Sequence, residues 1–248
     1  MFLKACLNGP RRRSDHPTLP VTPAELAQAA LEVSRAGAKA VHLHAKDPLG
    51  NDTLNGAELA AALVSVRAAC PGLPVGATTG AWAQPDPAER VAAIRAWTVL
   101  PDFASVNWHE VGAEEVAQVL LDRGVAVEAG VWHADAAAAW LASPLWRRCL
   151  RVLLELPDGL DAAATAEEAD RLLELVGDSA GVAAGQVPVL LHGEGSSCWP
   201  ALRHAGRTGL ATRVGLEDVL TLPDGSLAPD NAALVTAARL LLTSADSD

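Results

Sequence analysis

The feature that most constrains the fold is an alternation that runs the length of the chain. Eight short apolar runs, at 3–7, 40–44, 74–78, 103–106, 126–130, 150–156, 187–192 and 212–215, read as strands. Each is followed by an Ala/Leu-rich stretch of helical character, at 22–36, 57–70, 87–97, 113–123, 134–142, 165–177, 197–206 and 231–242. Strands that are apolar at nearly every position belong to parallel sheets covered by helices. Eight βα units in 248 residues predict a (β/α)8 TIM barrel. An open, doubly wound sheet would carry a G-x-G-x-x-G turn after its first strand, and Leu7-Asn8-Gly9-Pro10 is not one. No Ser/Gly linker or long charge run divides the chain, so residues 1–248 read as a single catalytic domain.

The helix punctuation agrees. Thr22-Pro23 with Glu25 has the composition of a capped first turn, Pro87 suits an early helix position, and Thr165 ahead of Glu167-Glu168 predicts the start of the sixth helix. Gly37, Gly72 and Gly124 stand where helices need a left-handed stop.

Composition removes several function classes. The 30 acidic residues exceed the 19 basic ones, for a net charge of −11, which argues against nucleic acid as the partner. The one basic run is Arg11-Arg12-Arg13. Cys6, Cys70, Cys149 and Cys198 lack CxxC spacing and suit a reducing compartment. Residues 1–20 hold Asn8, Gly9, Pro10 and three arginines where a signal peptide needs an apolar stretch. No apolar run approaches the ~18 residues of a membrane span. The expectation is a soluble, cytoplasmic protein.

Barrel chemistry gathers at the carboxyl ends of the strands. Here those ends collect Asn8, His42 and His44, Thr78 and Thr79, Ser105, Asn107 and His109, Glu128, Glu155, His192 and Glu194, and Arg213, Glu217 and Asp218. Side chains alternate along a strand, so His42 and His44 share a face and form the start of a Zn2+-type site. Barrel closure sets strand 8 next to strand 1, beside strand 2, which brings Glu217 within reach as a third ligand. His192 and Glu194 compete for that place. Asp218, next to Arg213 and a metal, is expected to stay ionised and to act as a base on a proton alpha to a carbonyl. Trp82, Trp108 and Trp132 fall just beyond strand ends and are candidates for pocket walls.

His42-x-His44-x-Lys46-Asp47 and Arg213-x-Gly215-x-Glu217-Asp218, with Thr22-Pro23-x-Glu25-Leu26, Ala36-Gly37-Ala38, Thr79-Gly80 and Ala104-Ser105-Val106-Asn107, resemble the β-keto acid cleavage enzyme family over nearly the whole chain. The resemblance implies a metal-dependent TIM-barrel acyltransferase, in which a β-keto acid and acetyl-CoA exchange to give acetoacetate and a new acyl-CoA. It implies Zn2+, or another divalent transition metal, on His42, His44 and Glu217, with Asp218 as base held by Arg213. Thr78 would act in catalysis; Ser105, Asn107, Glu128 and Lys46 would support or bind substrate. A homo-oligomer is also implied. The family's residue at the position of Lys46 is arginine, and its Gly-Ala-Glu after strand 1 is replaced by Asn8-Gly9-Pro10-Arg11. Arg11-Arg12-Arg13 is a candidate contact for the CoA phosphates. Two other readings remain: a CoA-independent aldolase- or isomerase-type barrel using the same metal, and a non-catalytic barrel that binds a metal or small ligand.

Overall fold

A computed structural model describes residues 1–177 and 187–244 of the chain. Its strands are β1 (Leu3–Cys6), β2 (Ala40–Leu43), β3 (Val75–Thr78), β4 (Phe103–Asn107), β5 (Ala126–Val131), β6 (Arg151–Leu156), β7 (Val189–Gly193) and β8 (Ala211–Val214). The helices are α1 (Pro23–Ala36), α2 (Gly56–Ala69), α3 (Pro87–Ala96), α4 (Ala113–Asp122), α5 (Ala134–Ala142), α6 (Ala162–Gly177), α7 (Cys198–Thr208) and α8 (Asn231–Ser244). Each strand pairs in parallel with the next, and β8 pairs with β1, so the sheet closes into a (β/α)8 barrel. Among the described residues, no helix is long and apolar enough to cross a membrane.

Two layers of packing follow from strand alternation. Leu3, Ala5 and Leu7 join the apolar layer beneath the helices, whereas Lys4 and Cys6 lie outside that layer and are fully buried. The barrel interior is therefore partly polar. Lys4 pairs with Glu128 of β5, which also faces Arg151 Nε of β6 at 3.2 Å. The Lys4 ammonium also sits 5.5 Å from the Phe103 ring centroid. Gly76 makes room for that ring, because a Cβ there would stand 2.0 Å from it.

The α1 cap forms as a reciprocal capping box between Thr22 and Glu25, with Gly37 at φ 110° closing the helix. The α6 start differs from expectation. Asp161, not Thr165, caps it, accepting from Ala163 N and Ala164 N at 3.0 and 2.9 Å. Thr165 lies inside the helix, fully buried, and its hydroxyl bonds back to Asp161 O at 2.6 Å. An aspartate supplies the same acceptor earlier, so the helix begins one turn sooner.

Candidate active site

The histidine strand is braced before it reaches the barrel mouth. Asn8 extends the β1–β2 pairing with its side chain: Oδ1 accepts from His44 N and Nδ2 donates to His44 O, both at 2.9 Å. Across the closure seam, the turn after β8 presses against β1. A Cβ on Gly215 would meet Cys6 O at 1.9 Å, so only glycine lets the chain turn this closely. Gly9, at φ 57°, backs onto Glu217, and a Cβ there would lie 2.5 Å from Glu217 Cγ. These two glycines hold the Glu217 carboxylate against the end of β2.

The result is a three-residue cluster. One ligand atom from each of His42, His44 and Glu217 lies within 4.8 Å of the others. Glu217 Oε2 stands 3.7 Å from His44 Nε2 and 3.9 Å from His42 Nε2. It is buried and has no hydrogen-bond partner among the described residues. Donors about 2.1 Å from a tetrahedral ion stand roughly 3.4 Å apart, so Glu217 Oε2 is only a few tenths of an ångström farther than that from each imidazole nitrogen. Burial, with His44, Lys4 and Arg213 nearby, holds His42 well below the usual imidazole range, and the neutral form is the one that ligates. The donor set and the orphaned oxygen fit a divalent transition metal. His192 does not join them: its Nε2 faces Glu155 Oε2 at 3.3 Å and its Nδ1 faces Asp218 Oδ1 at 3.9 Å.

His44 has a partner on its other nitrogen. Asp52 Oδ2 lies 2.7 Å from His44 Nδ1 and accepts from Trp82 Nε1 at 2.8 Å. The Trp82 ring stacks on His44, with centroids 5.9 Å apart and planes 11° from parallel. Lys46 Nζ donates to Asp52 Oδ1, to Gly9 O at 2.7 Å and to Arg11 O at 3.0 Å. Burial alone would raise the Asp52 carboxyl, but His44 and Lys46 outweigh it and hold it below the usual carboxylate range.

Opposite stands the buried pair Arg213–Asp218. Both guanidinium bonds fall on one oxygen, Asp218 Oδ1, from Nε at 3.1 Å and Nη2 at 2.7 Å. Oδ2 has no partner among the described residues. Arg213 Nη2 also faces Glu217 Oε1 at 3.2 Å. Burial outweighs Arg213 and, with Glu217 also raising it, pushes the Asp218 carboxyl up to about 7. Burial also raises Glu155 well above its ordinary value.

A cavity of about 250 Å3 opens over these groups, lined by His42, His44, Thr78, Ser105, Asn107, Glu155, Glu194, Arg213 and Glu217, with Trp82 and Trp132 also on its wall. Asn107 holds its place because Gly130 leaves room; a Cβ there would stand 2.5 Å from Asn107 Oδ1. Two expected substrate contacts are corrected. Glu128 is fully buried against Lys4 and Arg151 and does not line the cavity. Lys46 does not line it either, because its ammonium is engaged by Asp52 and two loop carbonyls. Trp108 packs in the core rather than on the cavity wall. Of the arginine run, Arg13 bonds Glu25 and Arg12 bonds Asn51 and Asp15, while Arg11 Nε reaches Glu217 O at 3.2 Å. Asp52 carried no role in the sequence reading; its only local signal is an acidic residue in the loop after the His-x-His strand.

The family model described as beta-keto acid cleavage enzyme matches residues 1–248. No curated protein matches the chain. The apo structure of ObcA superposes with a TM-score of 0.72 at 18% identity, over 92% of this chain and 62% of ObcA. The binary complex of ObcA with oxaloacetate gives the same TM-score, and so does its ternary complex with a C4-CoA adduct and oxalate, at 18% and 17% identity. The chain thus spans less than two thirds of ObcA. The 3-dehydroquinate dehydratase from Aquifex aeolicus VF5 shares the fold end to end, with a TM-score of 0.59 at 12% identity over 98% of each chain.

Proposed function

The chain belongs to the beta-keto acid cleavage enzyme family, and from that premise we propose that it exchanges a β-keto acid with acetyl-CoA, releasing acetoacetate and a new acyl-CoA. The observation that carries the reading is the orphaned Glu217 Oε2 facing His42 and His44 inside the cavity; the next residue, Asp218, lies fully buried behind that lining with Oδ2 unpartnered among the described residues. In this reading His42, His44 and Glu217 hold a divalent metal such as Zn2+. When bound, the ion supplies Lewis acidity that lowers the cost of an enolate.

The chain's own groups then have defined tasks. Asp218 Oδ2 takes the proton from C2 of the β-keto acid, and Arg213 fixes the other oxygen so that Oδ2 keeps its orientation. C2 forms a bond to the acetyl carbonyl carbon, and the CoA sulfur departs as thiolate. The thiolate adds to the original keto carbon, that carbon's bond to C2 breaks, and Asp218 returns its proton to C2 of the resulting enolate. Acetoacetate and the new acyl-CoA leave, and the atoms balance. Thr78, Ser105 and Asn107 line the same cavity and supply donors for the developing oxyanions. ObcA is seen with oxaloacetate, itself a β-keto acid, and with a CoA adduct, which supports this pairing of ligands. A cavity of about 250 Å3 falls below the ~300–1,000 Å3 of drug-sized sites and favours a short acyl substituent.

The test is a panel of short β-keto acids assayed with and without acetyl-CoA after Zn2+ loading. Acetoacetate formed only when both substrates are present supports the exchange. Turnover without acetyl-CoA points to the aldolase- or isomerase-type chemistry instead, and metal binding without any turnover points to a binding barrel.

A further inference from the structure

We propose that Asp52 is a positioning residue that sets the metal affinity of this site through His44, and that Lys46 clamps Asp52 to the loop that backs Glu217. The inference rests on the metal-centre reading above.

A neutral imidazole carries one N–H, and which nitrogen bears it decides which nitrogen can ligate. An ionised carboxylate only accepts, so Asp52 Oδ2 at 2.7 Å places the proton on His44 Nδ1. The lone pair is then on Nε2, the atom that faces Glu217 Oε2 at 3.7 Å. Nothing of the kind restrains His42, whose Nδ1 is buried without a partner among the described residues. One histidine of the pair is therefore pre-oriented, and the other is not.

The same carboxylate reaches the third ligand. Lys46 bridges Asp52 Oδ1 to the carbonyls of Gly9 and Arg11, in the loop after β1. Gly9 is the residue packed against the Glu217 side chain, and Arg11 Nε bonds Glu217 O. A point-charge ammonium suits this geometry, because three separate acceptors surround it and the second oxygen of Asp52, which an arginine fork would need, is already taken by His44 and Trp82. Trp82 donates to the Oδ2 that holds His44 and stacks on the same ring, so three loops converge on one carboxylate.

Partners of this kind typically cost 10–100-fold in metal affinity when mutated. Asp52→Asn keeps the shape, but its amide tolerates either tautomer of His44. The experiment titrates Zn2+ against a chromogenic chelator in wild type, Asp52→Asn and Lys46→Met, and records the visible spectrum of each protein loaded with Co2+. The proposal expects Zn2+ to bind Asp52→Asn roughly 10–100-fold more weakly, Lys46→Met to weaken it in the same direction, and the Co2+ bands of Asp52→Asn to shift. If Asp52→Asn fails to fold in the metal-free state, judged by circular dichroism, the Lys46→Met affinity decides. Affinities matching wild type in the folded variants overturn the positioning role and leave the metal centre standing. A wild type that takes up no Zn2+ or Co2+ overturns the metal centre, and this inference with it.

Discussion

Asp218→Asn separates the base from the metal ligands, and the structure supplies its magnitudes. Arg213 donates twice to Oδ1, an atom that asparagine retains, so the guanidinium keeps its anchor. The new Nδ2 replaces Oδ2, which has no partner among the described residues, and an unsatisfied buried amide costs about 1–3 kcal/mol. For a chain of this length, each kcal/mol lowers Tm by roughly 2–4 °C, so a loss on the order of 2–12 °C is expected. The catalytic loss is larger. Removing a general base costs roughly 10²–10⁴-fold, or about 3–5 kcal/mol of barrier. Zn2+ stoichiometry should match wild type, because Asp218 is not one of the three clustered ligands. The decisive assay is exchange of the C2 protons of a β-keto acid in deuterated buffer, followed by NMR above the uncatalysed rate. Wild-type exchange in the variant would remove Asp218 from the role of base whatever happens to overall turnover.

Three further expectations follow from other parts of the molecule. Glu128→Gln leaves Lys4 buried without its counter-charge and should cost about 3–5 kcal/mol in urea unfolding; a change under about 1 kcal/mol would mean the interior ion cluster is not tightly held. Gly9→Ala forces a methyl group to 2.5 Å from Glu217 Cγ at a left-handed backbone position, and should cost about 1–2 kcal/mol from the backbone alone and weaken Zn2+ binding as well; unchanged affinity in a chelator titration would show that Glu217 is not braced from this side. Burial would raise Glu25, but bonds from Arg13 and from the Thr22 and Val21 amides bring it down to about 2. A lowered carboxyl stabilises the folded state above its unfolded value of 4.5 and loses that contribution as pH falls toward 2. Glu25→Gln should therefore flatten the acid side of the Tm profile between those values, and an unaltered profile would count against the capping box.

The strands and helices were legible because each apolar run is short and each following stretch is rich in Ala and Leu, several of them opening on cap residues such as Thr22 and Asp86. The His42–His44 pair was legible because strand alternation fixes which residues share a face. Other parts depend on contacts that no local pattern encodes. Lys4 is a lone charge in an apolar strand, and its partner Glu128 lies 124 residues away. Asp52 meets His44 only because the loop after β2 folds back on itself, which neither period two nor period 3.6 describes. The upward pull on the Asp218 carboxyl is hidden from the sequence for a related reason. Its neighbour Arg213 can be read from the motif, whereas full burial is a property of the closed barrel. Lys46 and Glu128 were assigned to substrate by the family resemblance, and both are occupied by charges already inside the protein.

Asn231, the first residue of α8, bonds Leu7 O at 2.9 Å and accepts from Leu216 N at 2.8 Å, joining the segments that follow β1 and β8. The Glu217 carboxylate is thus delivered at the seam where the earliest and latest strands meet. During synthesis His42 and His44 leave the ribosome long before Glu217, and Asn231 emerges later still. A nascent chain ending before Glu217 has the two imidazoles but not the carboxylate, and one ending before Asn231 lacks the stitch that holds it in place. Assembly of the cluster is therefore coupled to ring closure, so trapping of a metal in this geometry would report a completed barrel rather than a partial one.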